Sequence, residues 1–536
     1  MADTQVLDAI IVGAGFAGMY TLHRMREAGF NARVFEAGDN VGGTWYWNRY
    51  PGARCDVESM EYSYSFDADL QQNWEWSERY ATQPEILSYA NHVADRFDLR
   101  RDISFNTRVT ALKYQEANKR WLVTTDKNER VSTRFCIMAT GCLSSINQPA
   151  FEGLENFGGE TYHTGRWPHE EVNFSGKTVG IIGTGSSAIQ SIPLIAENAK
   201  HLTVFQRTPN FSIPAHNQDL DPAFIEEIKS DYENFRSENR QMFGGFGARR
   251  AAYEDSVWDA DNDKRHARFE ERWSLGGLGF LRSFGDLSQS IEANDIAAEF
   301  VREKIREIVD DPAVAETLCP EGVIGCKRLC VDTNYYATFN RENVQLIDIK
   351  NEPIETLTEA GLVTGGVEYQ FDAIIFATGF DAMTGSLQRI NIEGRSGLTL
   401  KEKWAAGPRT YLGLSISDFP NLFTISGPGS PSVLSNMIVT IEQHVNWIMD
   451  CLIFMRDEAL TTIEAEPQAE EGWVNQGNEL ANMTLMPKCN SWYLGANVPG
   501  KPRIFMPYVG GIPLYFETCE RVAANRYEGF AFSAKT

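Results

Sequence analysis

The stretch Gly13-Ala14-Gly15-Phe16-Ala17-Gly18 decides the first fold unit, because of what stands on each side of it. The apolar run just before it predicts a β-strand, and residues 19–28 carry a helical pattern. In such a unit Gly13 allows the tight turn, Gly15 admits a pyrophosphate and Gly18 lets the helix pack on the strand. The start of the helix offers free N–H groups to the phosphates. The pattern predicts a dinucleotide-binding βαβ unit.

A carboxylate stands at the end of the next predicted strand. Residues 32–35 are β-rich and lead to Glu36, about 20 residues after the glycines. A carboxylate at this point of a dinucleotide-binding unit accepts hydrogen bonds from ribose hydroxyls. Glu36 is therefore a candidate nucleotide ligand.

A second fingerprint, Gly183-Thr184-Gly185-Ser186-Ser187-Ala188, repeats the arrangement. A predicted strand, 178–182, precedes it and a predicted helix follows; Ala188 replaces the third glycine, where a small side chain suffices. The next predicted strand leads to Arg207 and Thr208, with no acid at its end. A guanidinium binds phosphate through two bonds, so this arginine favours a ribose 2′-phosphate. The second unit is predicted to bind NADP rather than NAD.

The composition of the chain argues against several classes of protein, among them nucleic-acid-binding and membrane proteins. The 536 residues carry a net charge of −24, which argues against binding to nucleic acid through the general field. No apolar run approaches the roughly 20 residues of a membrane helix, and no signal peptide pattern is seen. The nine cysteines are odd in number and include no CxxC pair, which predicts reduced thiols and no metal site. We expect a cytoplasmic protein without a membrane or nucleic-acid partner.

Two loops stand out, and long ordered loops of this kind are usually functional. Residues 42–56 are too rich in glycine, proline and aromatic residues for regular structure, and residues 427–437 are too distinctive for a linker. The first fits the pattern [A/G]GxWxxxx[F/Y]P[G/M]xxxD at every specified position and ends at Asp56. Between the two fingerprints a further motif fits FxGxxxHxxxW[P/D] with Phe157, Gly159, His163, Trp167 and Pro168.

With these motifs, the chain resembles the flavin-dependent (type I) Baeyer–Villiger monooxygenases from about residue 7 to residue 532. The most similar branch is that of the phenylacetone, steroid and cyclic ketone enzymes. The resemblance implies an α/β fold with two Rossmann-like domains, for FAD and NADP. The FAD domain is expected at 1–141 and 380–536, and the NADP domain at 142–379 with a helical insertion at about 220–320.

The resemblance also implies NADPH- and O2-dependent oxidation of ketones to esters or lactones, through a C4a-peroxyflavin and a Criegee intermediate. The implied catalytic residues are Arg328 and Asp56, and His163 is expected to act as a hinge between domains. The implied FAD ligands are Gly13, Gly15, Phe16, Gly18, Glu36, Gly43, Thr44, Trp45, Asp56, Tyr62, Val109 and Met437. The implied NADP ligands are Arg54, Gly183, Thr184, Gly185, Ser186, Ser187, Gln190, Arg207, Thr208, Lys327, Arg328 and Trp492. The implied substrate pocket contains Ser432, Val433, Leu434 and Cys142.

Two other functions are weighed against this one. A flavin monooxygenase that oxygenates amine or sulfide heteroatoms has a similar motif, but usually without Trp167-Pro168. A non-catalytic nucleotide-binding regulator would not need Asp56 and Arg328. The longer loop at 427–437 favours aryl, bulky cyclic or long-chain ketones as substrates, and a monomer or weak homodimer is expected.

Overall fold

Strands and helices alternate along the chain in the computed structural model, which describes residues 5–250 and 252–534. The strands are β1 Gln5–Val12, β2 Ala32–Phe35, β3 Ile103–Ser104, β4 Val109–Gln115, β5 Arg120–Thr125, β6 Arg130–Met138, β7 Glu160–His163, β8 Thr178–Ile182, β9 His201–Gln206, β10 Ser212–Pro214, β11 Cys330–Asp332, β12 Val344–Asp348, β13 Ile354–Leu357, β14 Gly361–Thr364, β15 Val367–Gln370, β16 Ala373–Phe376, β17 Asn391–Glu393, β18 Leu422–Thr424, β19 Leu460–Ala465 and β20 Phe530–Ala534. The helices are α1 Phe16–Glu27, α2 Thr44–Trp47, α3 Ala68–Asn73, α4 Gln83–Arg96, α5 Ser186–Asn198, α6 Pro222–Ser230, α7 Tyr232–Gln241, α8 Asn262–Leu275, α9 Ile291–Ile308, α10 Pro312–Leu318, α11 Gly385–Gln388, α12 Leu400–Lys403, α13 Met437–Asp457, α14 Pro467–Asn482 and α15 Ile512–Ala524.

The first large sheet has the strand order β17-β4-β5-β6-β1-β2-β3, with β18 also paired to β6. Strands β6, β1, β2 and β3 run parallel, and β4 and β5 form an antiparallel addition. Residues Ala9, Ile10 and Ile11 of β1 are fully buried, so both faces of the sheet are covered. Helices α1 and α13 pack together over one face and contribute to the largest apolar core.

The second large sheet is entirely parallel, with the order β12-β9-β8-β16-β7. Helix α5 follows β8 and buries Ile189, Ile192 and Ile195 against it. Helices α6 to α10 come between β10 and β11, where the sequence predicted a helical insertion. The prediction of two Rossmann-like units in an α/β fold is confirmed.

The chain leaves the second sheet after Phe376 and rejoins the first one at β17, where Asn391 pairs with Ala111 of β4. The domain boundaries at 141 and 379 stay a prediction. No helix within the described residues has the length and apolar character that a membrane crossing requires.

Predicted and observed elements agree where local signals are strong. The predicted strands at 32–35 and 178–182 coincide with β2 and β8. Helix α1 begins at Phe16, earlier than the predicted 19–28, because the glycine turn itself ends in helical geometry. The expectation that residues 42–56 lack regular structure is wrong at α2, which forms one helical turn directly after two glycines with positive φ.

Two glycines of the fingerprints, Gly18 and Gly185, differ in how closely they are packed, which predicts a difference in the stability cost of replacing them. A Cβ on Gly18 would lie 1.8 Å from the carbonyl oxygen of Gly13, whereas a Cβ on Gly185 would meet no atom within 4 Å. We expect Gly18→Ala to destabilise the protein by about 2 kcal/mol or more, since the turn or α1 must move. Thermal unfolding of the purified protein measures this. Gly185→Ala is the control without a clash and should cost no more than about 1 kcal/mol, the loss expected for alanine at the N-cap of α5; equal losses in both variants would contradict the argument.

Candidate active site

The first glycine turn forms one wall of a nucleotide cradle. Helix α1 begins after Gly15 without a side-chain cap, so its first N–H groups are available to phosphate oxygens. The Glu36 carboxylate accepts hydrogen bonds from the N–H groups of Ala14 and Gly38, each at 2.7 Å. Burial raises the pKa of Glu36 above its ordinary value, and the two N–H donors oppose this rise. The carboxylate is thus fixed in place and keeps further acceptor capacity for ribose hydroxyls.

Residues 42–56 lie against this cradle. A Cβ on Gly43 would come within 2.8 Å of the Cα of Gly15, so the two backbones are in close contact. Trp45 Nε1 donates a hydrogen bond to the Tyr62 hydroxyl at 3.1 Å, and both side chains are buried. The loop therefore presents a fixed aromatic surface beside the predicted flavin site.

Three other predicted FAD ligands lie in the same unit. Phe16 meets Tyr62 edge to face, with 6.1 Å between the ring centroids. Val109 begins β4 and is buried, and Met437 begins α13 and packs against the largest core. Their contacts with a flavin stay a prediction.

The second glycine turn leaves more space at its middle glycine, Gly185, than the first does at Gly15. Helix α5 begins after Gly185, again without a side-chain cap, and the position of a Cβ on this glycine is empty. Ser186 Oγ lies 3.4 Å from Cys330 Sγ, and Ser187 Oγ donates to Thr164 Oγ1 at 3.0 Å. The free space and free N–H groups fit a pyrophosphate at this helix end.

Two cations stand together beyond this turn. Arg207 follows β9 and is exposed, and Lys327 approaches it from the loop before β11. Burial and then the charge of Arg207 lower the pKa of Lys327. Within the described ranges neither cation pairs with a carboxylate, so both are available to an anionic ligand. Thr208 is held nearby, because its carbonyl accepts a hydrogen bond from Thr184 Oγ1 at 3.0 Å.

The two nucleotide units touch through the 42–56 loop. Tyr50 donates from its hydroxyl to Gln190 Oε1 at 2.8 Å, and Gln190 Nε2 donates to the carbonyl of Arg54 at 3.2 Å. The side chain of Arg54 turns away and pairs with Glu78 at 2.7 Å. Gln190 therefore faces the junction, while a direct bond from the Arg54 guanidinium to NADP stays a prediction.

Arg328 and Asp56 form the centre of the site, although 272 positions separate them in sequence. Arg328 Nε donates to Asp56 Oδ2 at 2.8 Å and Nη2 donates to Oδ1 at 2.7 Å, a bidentate pair. Nη1 donates to the carbonyl of Val433 at 2.7 Å. Burial opposes the charge of Arg328, but the Asp56 carboxylate outweighs it and raises the pKa of the guanidinium. Arg328 is therefore a permanently charged group in a fixed orientation.

The predicted substrate-pocket residues gather around this cation. Cys142 and Val433 belong to one buried apolar cluster, with Leu434 and Trp492 packed against it. Ser432 is fully buried, and its hydroxyl donates to the carbonyl of Ser426 at 3.2 Å. The sequence prediction thus named residues that the fold brings together, beside the Arg328 guanidinium.

His163 connects the two chain crossings between the sheets. Its Nδ1 accepts a hydrogen bond from the N–H of Gly165 at 3.0 Å, so Nε2 carries the proton and donates to Thr378 Oγ1 at 3.1 Å. Thr378 in turn donates to the carbonyl of Asn147 at 2.8 Å. Burial lowers the pKa of His163, which keeps the ring neutral. The position fits the hinge role that the sequence predicted.

The remaining signature residues pack around β7. Trp167 is buried and stacks on Tyr162 at 5.3 Å between ring centroids. A Cβ on Gly159 would lie 2.5 Å from the ring of Phe157, so only glycine fits. Pro168 ends this stretch. These residues support the position of His163 and do not reach Arg328 or Asp56 within the described hydrogen bonds.

Two features were missed by sequence reasoning. The carbonyl of Val433 is a third partner of Arg328, and a backbone acceptor in a loop has no residue-type signal. The prediction of reduced thiols is wrong for one pair, because Cys326 and Cys489 form a disulfide across 163 residues of sequence. Their spacing gave no signal, since the fold alone brings the two loops together. The other seven cysteines are free and buried.

Comparisons with known proteins agree with this geometry. The family profile described as pyridine nucleotide-disulphide oxidoreductase matches residues 10–299. A Baeyer-Villiger monooxygenase of Pseudooceanicola batsensis is 43% identical over 528 residues, which cover 98% of this chain and 95% of the relative. A solved structure of oxidized steroid monooxygenase bound to NADP is 52% identical, with a TM-score of 0.94 over 99% of this chain and 100% of that one. OTEMO in complex with FAD and NADP is 41% identical, with a TM-score of 0.94 over 98% and 99% of the two chains.

The two nucleotide cradles and the cation between them define a flavoprotein oxidoreductase that binds FAD and NADP. Within that class, the chain belongs to the Baeyer–Villiger monooxygenases, which oxidise ketones to esters or lactones with NADPH. Heteroatom oxygenation, the alternative from the sequence, is not favoured by these relatives. The open glycine turn, the free N–H groups and the Arg207–Lys327 pair fit the two cofactors.

A buried carboxyl group lies next to Asp56. Glu61 lines one cavity together with Asp56 and Glu58, and its Oε1 accepts a hydrogen bond from the N–H of Gly247 at 2.7 Å. Burial and then the charge of Glu58 raise the pKa of Glu61 to about 7. The folded protein therefore holds this proton more tightly than the unfolded chain does. That contribution to stability is complete at low pH and is lost as the pH rises through about 7.

Glu61→Gln should remove the loss of stability at higher pH, because the amide keeps an acceptor oxygen for Gly247 and never ionises. We expect the stability of the variant relative to wild type to increase by about 2 kcal/mol between pH 5 and pH 8, at about 1.4 kcal/mol per pKa unit. Melting temperatures of both proteins across this pH range measure the difference. A difference that does not change with pH would show that Glu61 titrates normally.

Proposed function

We propose that Arg328 provides the positive charge that stabilises the oxygen transferred to the ketone and then the former carbonyl oxygen. The observation that carries this proposal is the bidentate pair with Asp56, which fixes the guanidinium beside the apolar pocket. Bound FAD supplies the hydride acceptor and, after reaction with O2, the inserted oxygen atom, and NADPH supplies the hydride. One preorganised donor to a developing oxyanion contributes roughly 3 to 4 kcal/mol in other enzymes.

Three bonds hold the guanidinium, and it has N–H groups left over to donate to the substrate. Because its pKa is raised, Arg328 does not deliver a proton to the reacting oxygen. Asp56 acts as a positioning residue: it fixes the plane of the guanidinium and balances its charge before the ketone reacts. Arg328 thus supplies the charge that the reaction needs, and Asp56 holds it in place.

NADP selectivity is proposed to reside in Arg207 and Lys327. Both cations face one region beyond β9, where the 2′-phosphate of NADP would bind near the Thr208 backbone. The α5 end at Gly185 would receive the pyrophosphate. Trp492 would cover the bound cofactor, which excludes water from the reacting oxygen.

The proposed substrate is an aryl, bulky cyclic or long-chain ketone, which is oxidised to an ester or lactone with O2 and NADPH. Leu434, a proposed pocket residue, and Met437 pack against the buried apolar cluster that contains Cys142 and Val433, which favours an apolar ketone. Similarity to a steroid monooxygenase over nearly the whole chain supports a bulky ring system. A panel of aryl, cyclic and steroid ketones, assayed for ester product, tests the class.

Assembly and location are part of the same proposal. The net charge of −24 favours a soluble monomer or weak homodimer through self-repulsion. The demand for NADPH favours the cytoplasm. Light scattering of the cofactor-loaded protein tests the first point, and fractionation of the source cell tests the second.

Arg207→Ala and Lys327→Ala should each raise the KM for NADPH about tenfold, since each removes one charge-assisted bond of about 1.5 kcal/mol or more. The KM for NADH should not change, because NADH lacks the phosphate. Steady-state kinetics with both nucleotides measure the split. An equal rise in the KM for NADH would show that these cations do not recognise the 2′-phosphate.

Arg328→Ala should still accept hydride from NADPH but should make ester at least about 100-fold more slowly than wild type, by analogy with the loss of an oxyanion donor. Anaerobic flavin reduction and ester yield measure the two steps separately. Arg328→Lys keeps a charge but cannot bind both Asp56 oxygens in the same plane, so it should recover only part of the rate. Ester formation by Arg328→Ala at the wild-type rate would remove the proposed role.

A further inference from the structure

A covalent bond joins the loop of the central cation to the segment that carries Trp492. Cys326 directly precedes Lys327 and Arg328, and its partner Cys489 begins residues 489–504, here called the cover segment. We propose that Cys326 and Cys489 are a reversible redox site, whose disulfide holds the cover segment closed and whose reduction releases it. The proposal rests on the roles given above to Lys327, Arg328 and Trp492.

The disulfide attaches the end of the cover segment that lacks long-range hydrogen bonds. Within the described ranges, the hydrogen bonds of residues 486–491 are all local, such as Lys488 N–H to Leu485 carbonyl and Ser491 N–H to Cys489 carbonyl. The hydroxyl of Ser491 is buried without a partner. No hydrogen bond of this stretch reaches a distant part of the described protein, so the disulfide adds a long-range attachment to the packing of Trp492 and Tyr493 against the apolar cluster.

The other end of the cover segment is held by polar contacts. Lys501 Nζ pairs with Asp381 at 2.6 Å, and Asn497 Nδ2 donates to the carbonyl of Phe380 at 2.7 Å. Both partners belong to the chain crossing after β16, next to the His163 hinge. Cleavage of the disulfide would therefore leave the Cys489 end held by apolar packing alone, and the segment would open about the end anchored at Asn497 and Lys501.

Cys489 is also the cysteine that a reagent reaches first. It is half-buried, whereas Cys326 and the seven free cysteines are buried. Burial raises the pKa of the Cys142 thiol and raises that of Cys330 to about 11, so these thiols stay protonated and unreactive. A redox reagent should therefore act on the Cys326–Cys489 pair before any other cysteine.

The chemistry balances with simple partners. A thiolate of a dithiol reductant attacks Sγ of Cys489, the Cys326 thiolate leaves and takes a proton, and the second thiol of the reductant displaces Cys489 as a cyclic disulfide forms. In the reverse direction hydrogen peroxide is the oxidant. One thiolate takes an oxygen atom and water leaves, and the second thiol then displaces another water as the S–S bond forms. Two electrons and two protons pass in each direction.

Release of the cover segment should weaken retention of NADP+. If the closed form is about a tenth of the population without the disulfide, the apparent Kd for NADP+ rises about tenfold. Water then reaches the site more easily, and more NADPH ends as hydrogen peroxide rather than ester. Hydride transfer itself should change little, because Arg207 and the glycine turn are untouched.

The test compares purified enzyme before and after treatment with dithiothreitol. A non-reducing peptide map of the untreated enzyme should contain the Cys326–Cys489 crosslink. After reduction the Kd for NADP+, measured by fluorescence titration, should rise about tenfold, and hydrogen peroxide released per NADPH should increase. Reoxidation with hydrogen peroxide should restore both values.

Cys326→Ser, Cys489→Ser and the double variant control for local effects. All three should match the reduced wild type and ignore dithiothreitol, and the double variant should be no worse than either single one. Absence of the crosslink, or equal NADP+ affinity and peroxide yield before and after reduction, would overturn the inference. Either outcome leaves the Arg207 and Arg328 variants free to confirm or reject the proposed function by themselves.

Discussion

The bidentate pair between Arg328 and Asp56 is the interaction on which the rest of the site depends. Three parts of the chain meet there: the loop of the first nucleotide unit, the segment before β11 and, through the carbonyl of Val433, the pocket loop. The side chains are about a quarter exposed, at 21% and 27%. A charge at this depth is costly unless it is paired and hydrogen-bonded, so the fold must deliver all three partners together. The position and pairing of the Arg328 cation are therefore set by tertiary structure and not by its neighbours in sequence.

A second constraint sets how much the site moves. The two sheets are joined by crossings near residues 142–150 and 377–383, and His163 bonds to Thr378, which bonds to Asn147. A neutral imidazole with one donor and one acceptor nitrogen can hold both crossings without adding charge to the junction. Hydride delivery and ketone binding both require access to the flavin, so some relative motion is needed. A hinge at His163 would confine that motion to the crossings, and this role stays a prediction.

Local sequence signals predicted the parts of this structure that local physics determines. Glycine turns between a strand and a helix have few alternatives, so β1, α1, β8 and α5 were predictable, as was Glu36 at the end of β2. Arg328 and Asp56 were predictable only through a motif, because Lys-Arg pairs are common on surfaces. The Val433 carbonyl and the Cys326–Cys489 bond were not predictable, since both depend on which distant loops meet. The cysteine rule failed because it counts thiols and ignores where the fold places them.

The geometry of the hydrogen bonds explains why an arginine, rather than a lysine, stands at this position. Asp56 occupies one edge of the guanidinium with two bonds, and Val433 takes part of the other, so the remaining donors point in a defined direction. A lysine has a single charged centre, and the same carboxylate would bind it without fixing where its other protons point. The ion pair is close to neutral as a whole, which keeps the pocket acceptable to an apolar ketone. In the proposed role of Arg328, a substrate oxygen that gains negative charge would meet donors already aligned, and no reorganisation of the pair would be required.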